Sequence, residues 1–307
     1  MKSLVEAGYS SSQLKQWRSA GRSCSGLILV TGVVGSGKST SMKLFIETLP
    51  DLESKAINTV EDPIEYEIRG AHQTEVPSAQ DEQEKRRRWG DVMRAMLRAD
   101  PDGCFIGEIR DDLTAGFALQ FSESGHLSMA TLHAHLISNI VPRLTNANMG
   151  LNRQALTNPN ILNLLVYQAL VPVLCTACAE TPAVAAARDH EVAELLDLLT
   201  TKFSVATENL RFKRDGGCAC CKGRGTVGRT IVAEMWLPDR QWLALVRKDE
   251  DYAALLHYRS HSDGDLASEN MNGKTVFEHA LYKALHGQID PRECHSFDSF
   301  ERFEVLS

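Results

Sequence analysis

The sequence predicts an α/β fold, a parallel sheet with helices packed on its faces. Short apolar runs at residues 27–31, 56–60, 104–106 and 127–131 alternate with stretches of helical length, the pattern of strand-helix-strand units. Each run ends in polar residues. In open parallel sheets ligands collect beyond the carboxyl ends of the strands, so one rim is expected to carry the chemistry. With 43% apolar and 24% charged side chains, the 307 residues fit one large domain with appendages or two modest ones, and speak against disorder or a fibrous repeat.

Taken in order, residues 1–25 are polar and read as a linker or the stub of an N-terminal domain, with a helix over 12–20 closed by Gly21. From Gly26 the strands at 27–31, 56–60, 104–106 and 127–131 enclose helices near 39–48, 89–98 and 112–122. A further apolar stretch, 160–173, leads to a cysteine-rich region with a short helix at 187–199, and after Gly228 a helical pattern is expected through about residue 285. The expected organisation is therefore a stub at 1–25, a core at 26–174, a cysteine element at 175–230 and a helical subdomain at 231–307. The chain contains no internal repeat.

The 33 basic and 40 acidic residues give a net charge of −7, which argues against a dedicated nucleic-acid surface, since phosphate contacts demand a basic one. The run Lys85-Arg-Arg-Arg88 opens a helix, where four charges usually form a solvated face or a subunit contact. Residues 161–174 form the longest apolar stretch, broken by Asn163, Tyr167, Gln168 and Pro172 and shorter than the roughly 20 residues that span a bilayer. The amino terminus lacks the apolar block of a signal peptide. A soluble, cytoplasmic protein is expected, and its eight cysteines then read as metal ligands rather than disulfides.

The first chemical motif is Gly32-Val-Val-Gly-Ser-Gly-Lys-Ser39, placed after a strand and before a helix as a phosphate-binding loop must be. Gly32, Gly35 and Gly37 let the backbone turn its N–H groups around a β-phosphate, and the helix adds its positive end. Lys38 supplies charge to the β- and γ-phosphates, Ser39 offers a hydroxyl to Mg²⁺, and Ser36 and Thr40 complete the nucleotide-binding set.

Three more stretches follow: Thr59-Val-Glu-Asp-Pro-Ile-Glu-Tyr66, then Leu97-Arg-Ala-Asp-Pro-Asp-Gly-Cys-Phe-Ile-Gly-Glu-Ile-Arg-Asp111, then Gly125-His-Leu-Ser-Met-Ala-Thr-Leu-His133. Glu61, Asp62 and Glu65 follow a strand on the expected rim, where carboxylates hold Mg²⁺ through water; a solvated acidic turn around Pro63 is the other reading. Glu108 is the acidic group best placed to orient or deprotonate an attacking water, with Glu65 second. His126 and His133 bracket the last strand. His126 has an equal standing as a structural residue, whereas His133 lies beyond the carboxyl end, where it can sense a γ-phosphate. His72 and His135 are read as surface residues.

In this order the four stretches closely resemble the secretion ATPase superfamily that drives type II secretion and type IV pilus assembly, whose Walker A, Asp box, Walker B and His box they match. The resemblance spans about residues 26–285. It implies a RecA-like P-loop ATPase core that uses ATP and Mg²⁺, assigns nucleotide roles to His126 and His133, and makes Gly107 normal where other P-loop proteins carry an aspartate. It also implies a homo-hexameric ring with nucleotide between subunits, working peripherally to the inner membrane through a platform protein. Trans-acting arginines are implied from an amino-terminal domain, so hydrolysis by this chain alone is expected to be slow. Arg110 is the remaining interface candidate, and a local salt bridge is its equal alternative.

Cys175-Thr-Ala-Cys178 and Cys218-Ala-Cys-Cys221 are two C-x-x-C pairs that can set four thiolates around one Zn²⁺; Cys220 is the extra thiol. The resemblance agrees, since assembly and secretion members commonly carry a tetracysteine element followed by a Gly-Arg-rich strand like Lys222-Gly-Arg-Gly-Thr-Val-Gly-Arg229. Retraction motors generally lack it. A motor for pilus assembly or secretion is thus expected ahead of a retraction, conjugation or DNA-uptake motor, and ahead of a nucleotide-binding regulator with little turnover.

Overall fold

The structure is a computed structural model that describes residues 3–304. Among them the strands are β1 (Gly26–Thr31), β2 (Ile57–Glu61), β3 (Ala71–Glu75), β4 (Gly103–Ile109), β5 (Leu127–Leu132), β6 (Leu162–Leu174) and β7 (Thr226–Trp236). They form one sheet in the order β3-β2-β4-β5-β1-β6-β7. All neighbours pair in parallel except β6 and β7. Parallel pairing points the carboxyl ends of β1, β2, β4 and β5 at a single rim, as the sequence predicts.

Both faces of the sheet are covered, which is why its strands read as continuous apolar runs. Along β1 the side chains alternate between two cores. Leu27 and Leu29 join one with Ile106, Ala130 and helix residues Phe117 and Phe121, while Ile28 and Val30 join the other with Phe105, Met129, Met42 and Phe45. Three of the covering helices matter for the rim. They are α3 (Lys38–Ile46), α4 (Glu82–Leu97) and α5 (Asp112–Glu123). Aspartate side chains cap the last two, with Asp81 accepting from the Glu84 N–H and Asp111 from the Thr114 N–H.

Three expectations are revised. The helix expected at 12–20 is α2 (Ser11–Gly21), and with α1 (Leu4–Ala7) it packs against the core, a contact the polar composition did not suggest. Trp17 is 1% exposed, with its ring 4.7 Å from that of Phe45, and the buried Gln13 donates to the Ala233 carbonyl at 2.7 Å. Capping boxes start both helices, Ser3 with Glu6 and Ser10 with Gln13. The helical pattern expected from Gly228 to about residue 285 holds in the helices Arg240–Arg247, Asp251–Arg259 and Val276–Leu285, but it begins late, because residues 229–236 are the second half of β7 and residues 230–236 are all buried. Burial on both faces erases the alternation that marks a strand. Finally, the short edge strand β3 was absent from the sequence reading because His-Gln-Thr-Glu carries no apolar signal.

The expected helix at 187–199 is two helices, Pro182–Arg188 and His190–Thr201. No helix among the described residues is long and apolar enough to cross a membrane.

Candidate active site

The phosphate loop follows β1 directly, and its conformation explains its glycines. Gly32, Gly35 and Gly37 have φ of 152°, 76° and 82°, the region that favours glycine. At Gly32 a Cβ would also lie 2.3 Å from the Gln168 carbonyl oxygen. The loop is pinned from below: Gln168 Nε2 on β6 donates to the Ser36 carbonyl at 2.7 Å, and the Tyr9 hydroxyl donates to Gln168 Oε1 at 2.5 Å while lying 3.1 Å from Ser41 Oγ at the start of α3. Tyr9 and Gln168 were not singled out from sequence, because a tyrosine after a glycine and a glutamine in an apolar run give no signal until the fold brings them together. Burial pushes the Tyr9 phenol well above its ordinary range, so its proton stays on as a donor.

Lys38 is 9% exposed and donates to the loop's own Gly32 and Val33 carbonyls at 3.0 and 3.1 Å. Burial lowers its pKa, and the negative charges of Glu108 and Glu65 oppose that shift. The same carboxylates therefore hold the ammonium charged where phosphates would lie. Ser39 and Thr40, half-buried, line the cleft beside it.

Glu108, on the last turnout of β4, is held from both sides. His133 Nε2 stands 2.6 Å from one of its oxygens and Arg110 Nε donates to the other. The His133 ring continues to the loop, its Nδ1 3.1 Å from the Gly32 carbonyl. Lys38 Nζ lies 3.5 Å from the same Nδ1, so the ring bridges the phosphate loop and its lysine to the acidic group. Arg110 also lies 3.7 Å from Asp62 and is half exposed. It sits in a local cluster of ion pairs.

From β2, Glu61 is buried and accepts from Thr59 Oγ1 at 2.6 Å and Gln73 Nε2 at 2.9 Å; β3 thus supplies one of its partners. A Cβ at Gly107 would make ordinary contact with Glu61 Cα and Cγ at 3.4 Å, so the position lies beside the Glu61 side chain. Asp62 pairs with Lys85 at 2.7 Å, and Glu65 is exposed on the cleft wall. The basic run is spent locally too: Arg86 forks onto Asp112 at 2.7 and 2.8 Å and Arg88 meets Glu84.

The loop, Glu61, Asp62, Glu65, Glu108, Arg110 and His133 all line one cleft of about 520 Å³, a volume suited to a small ligand. His126 does not reach it. It stands at the amino end of β5, the length of a six-residue strand away, about 20 Å, where its Nδ1 is 2.9 Å from Ser124 Oγ and its ring packs on Phe121. His72 and His135 are exposed.

At the far end of β6, the four cysteines converge. Sγ separations are 3.8 Å for Cys175–Cys218 and Cys218–Cys221 and 3.9 Å for Cys178–Cys221. Four sulfurs each 2.3 Å from one centre stand about 3.8 Å apart, the edge of a tetrahedral zinc site. The Cys218 and Gly225 N–H groups both donate to Cys221 Sγ at 3.1 Å and hold that thiol's pKa down to about 6, favouring the thiolate a metal needs. Cys220 is exposed and outside the cluster.

With this geometry in place, relatives can be compared. The family described as "Type II/IV secretion system protein" matches residues 1–281. The chain belongs to that family. It is 39% identical over 230 residues to the Type II secretion system ATPase E of Vibrio cholerae, covering 75% of this chain and 42% of that protein. It is 33% identical over 265 residues to the Type IV pilus assembly ATPase PilB of Thermus thermophilus, covering 85% of this chain and 26% of that protein. The chain thus spans less than half the length of these family members. In fold it is similar to the crystal structure of the pilus retraction motor PilT with bound ADP, at TM-score 0.65 and 22% identity over 100% of this chain and 70% of that one. The ATPase DotB of Legionella pneumophila follows at 0.61 and 20%, over 96% and 64%. These family likenesses establish a RecA-like core, with the tetracysteine cluster appended to it.

Proposed function

We propose that this chain is the ATP-hydrolysing part of a motor for type IV pilus assembly or type II secretion. The observation that carries the reading is the connected line from Lys38 through His133 to Glu108 at one rim of the sheet. Phosphoryl transfer is catalysed largely by positioning and charge, and each element of that line serves it. The loop N–H groups and Lys38 hold the β- and γ-phosphates. Ser39, with Glu61, Asp62 and Glu65 through water, would hold a Mg²⁺ ion, whose charge would offset that developing on the phosphates. Glu108 orients the attacking water and takes its proton, and His133 ties the position of that carboxylate to the phosphate loop.

The same reading includes a hexameric ring at the cytoplasmic face of the inner membrane, coupled to a platform protein, with Arg110 leaving its local cluster to face a neighbour's nucleotide. It includes one structural Zn²⁺ held by Cys175, Cys178, Cys218 and Cys221. The four-cysteine cluster favours assembly or secretion over retraction, and the net charge of −7 and the locally paired basic run favour no direct nucleic acid.

The test is Glu108→Gln, followed by phosphate release and by nucleotide binding. The substitution keeps the side chain's size and its contact with His133 and removes the base. ATP affinity within about threefold of wild type with turnover reduced at least about 100-fold is expected, since general-base catalysis is typically worth 10²–10⁴. Normal turnover in that variant would move the catalytic role elsewhere, first to Glu65.

A further inference from the structure

We infer that Asp239, His257 and His261 form a second divalent-metal site, distinct from the four cysteines. Asp239 follows β7 and caps the helix Arg240–Arg247, its Oδ1 accepting from the Trp242 N–H at 2.8 Å. That bond aims Oδ2 at two imidazoles, His257 Nε2 at 2.7 Å and His261 Nε2 at 3.9 Å. His257 lies in the helix Asp251–Arg259 and His261 one turn beyond, so both rings fall on one side. All three ligand atoms lie within 4.8 Å of one another.

The decisive contact is behind the second ring. His261 Nδ1 is 2.9 Å from the His257 carbonyl, which can only accept, so Nδ1 carries the proton. In the neutral ring Nε2 then presents a lone pair, and it presents it to a carboxylate oxygen. Two acceptors facing each other at 3.9 Å take either a proton or a metal ion between them. A histidine whose outer nitrogen donates to a backbone carbonyl is also the arrangement that fixes a metal-ligating tautomer. Trp236 packs edge-on against both rings, with centroids 6.1 and 4.9 Å away, and limits their rotation. Imidazole with carboxylate suits zinc, nickel or cobalt(II) rather than magnesium or calcium. Three protein donors leave the remaining positions to water, and His261, 41% exposed in its side chain, gives access. When the ion binds, His257 carries its proton on Nδ1 and frees Nε2. The ion then ties the helix Asp251–Arg259 to the cap of its neighbour.

The experiment uses the full chain with its four-cysteine cluster loaded with Zn²⁺, titrated with Ni²⁺ and followed by calorimetry and by tryptophan emission, which Trp236 makes sensitive to this site. One saturable equivalent with quenching is expected. His261→Ala should weaken it at least tenfold, and so should Asp239→Asn, which retains an N-cap side chain. Absence of a saturable equivalent in the wild type overturns the site, as does undiminished affinity in His261→Ala. So does a His261 ring that titrates with pH but whose nitrogen resonances do not move when Zn²⁺ is added beyond the first equivalent, the behaviour of a simple ion pair with Asp239.

Discussion

Replacing Tyr9 with phenylalanine separates the support of the phosphate loop from the loop itself. The ring would stay against Trp17, whose centroid lies 5.7 Å away, and only the hydroxyl would go. Its loss removes a buried hydrogen bond, net about 0.5–1.5 kcal/mol, and strands Gln168 Oε1, which costs about 1–3 kcal/mol when nothing replaces the partner. A total near 2 kcal/mol is expected. At about 2.1 cal/mol/K of unfolding entropy per residue, the described chain has an unfolding entropy near 0.6 kcal/mol/K, so Tm should fall by about 3 °C. Because Gln168 holds the Ser36 carbonyl, the loop should also lose part of its preorganisation and ATP should bind about tenfold more weakly, a change of about 1.4 kcal/mol. Thermal unfolding with and without a non-hydrolysable ATP analogue reads both effects, since ligand stabilisation follows RT ln(1 + [L]/Kd). A variant that melts lower yet gains as much from the analogue as wild type would show Tyr9 to be structural only, and one with an unchanged Tm would refute the hydrogen-bond chain itself.

Lys38→Ala should abolish ATP binding while leaving Tm unchanged or slightly raised, because a mostly buried ammonium is removed along with the phosphate contact; equilibrium binding and a melting curve check it. Elemental analysis should find one Zn²⁺ per chain at the four cysteines, lost in Cys221→Ser together with stability and retained in Cys220→Ser. Burial pushes the Glu234 carboxyl up to about 7. Its folded value lies above its unfolded one, so its contribution is present in full below about pH 4.5 and is lost as pH rises through 7, by about 3 kcal/mol at 1.36 kcal/mol per unit. Burial pushes the His279 imidazole down, and it slopes the opposite way in the same window, so the measurement is the difference between wild type and Glu234→Gln in denaturant unfolding from pH 5 to 8. A difference that does not grow with pH would refute the assignment.

The central strands and the helices between them were legible in sequence because each carries a strong local signal: an apolar run, a cap, or a glycine that only one backbone conformation explains. The residues of the cleft were legible for the same reason, since strand ends point at one rim in any parallel sheet. What failed was long-range. β7 hid behind two-sided burial, and β3 behind an edge position that needs no apolar side. The helix at 12–20 was legible, but its packing against the core was not, because its polar side chains are occupied with capping and, at Gln13, with a buried carbonyl 220 residues away. His126 was placed with His133 by resemblance, yet the strand between them separates the two by its full length. The pairing of Tyr9 with Gln168 could not be read at all, because neither residue is unusual until 159 positions of chain are folded between them.

β6 carries a consequence of its own. Gln168 braces the phosphate loop and Cys175 follows directly on the strand's end at Leu174, so about 23 Å of extended backbone connects the cleft to the cysteine cluster. Over that stretch β6 pairs with β7 alone, since its pairing with β1 ends at Tyr167, and the register shifts between Pro172 and Leu174. The two sites are thus mounted on one two-stranded arm, and a tilt at the braced end carries the cysteine-bearing tip with it. Inserting one residue between Gln168 and Leu174 would leave both sites chemically intact but turn the tip to the opposite face, uncoupling them mechanically without touching either.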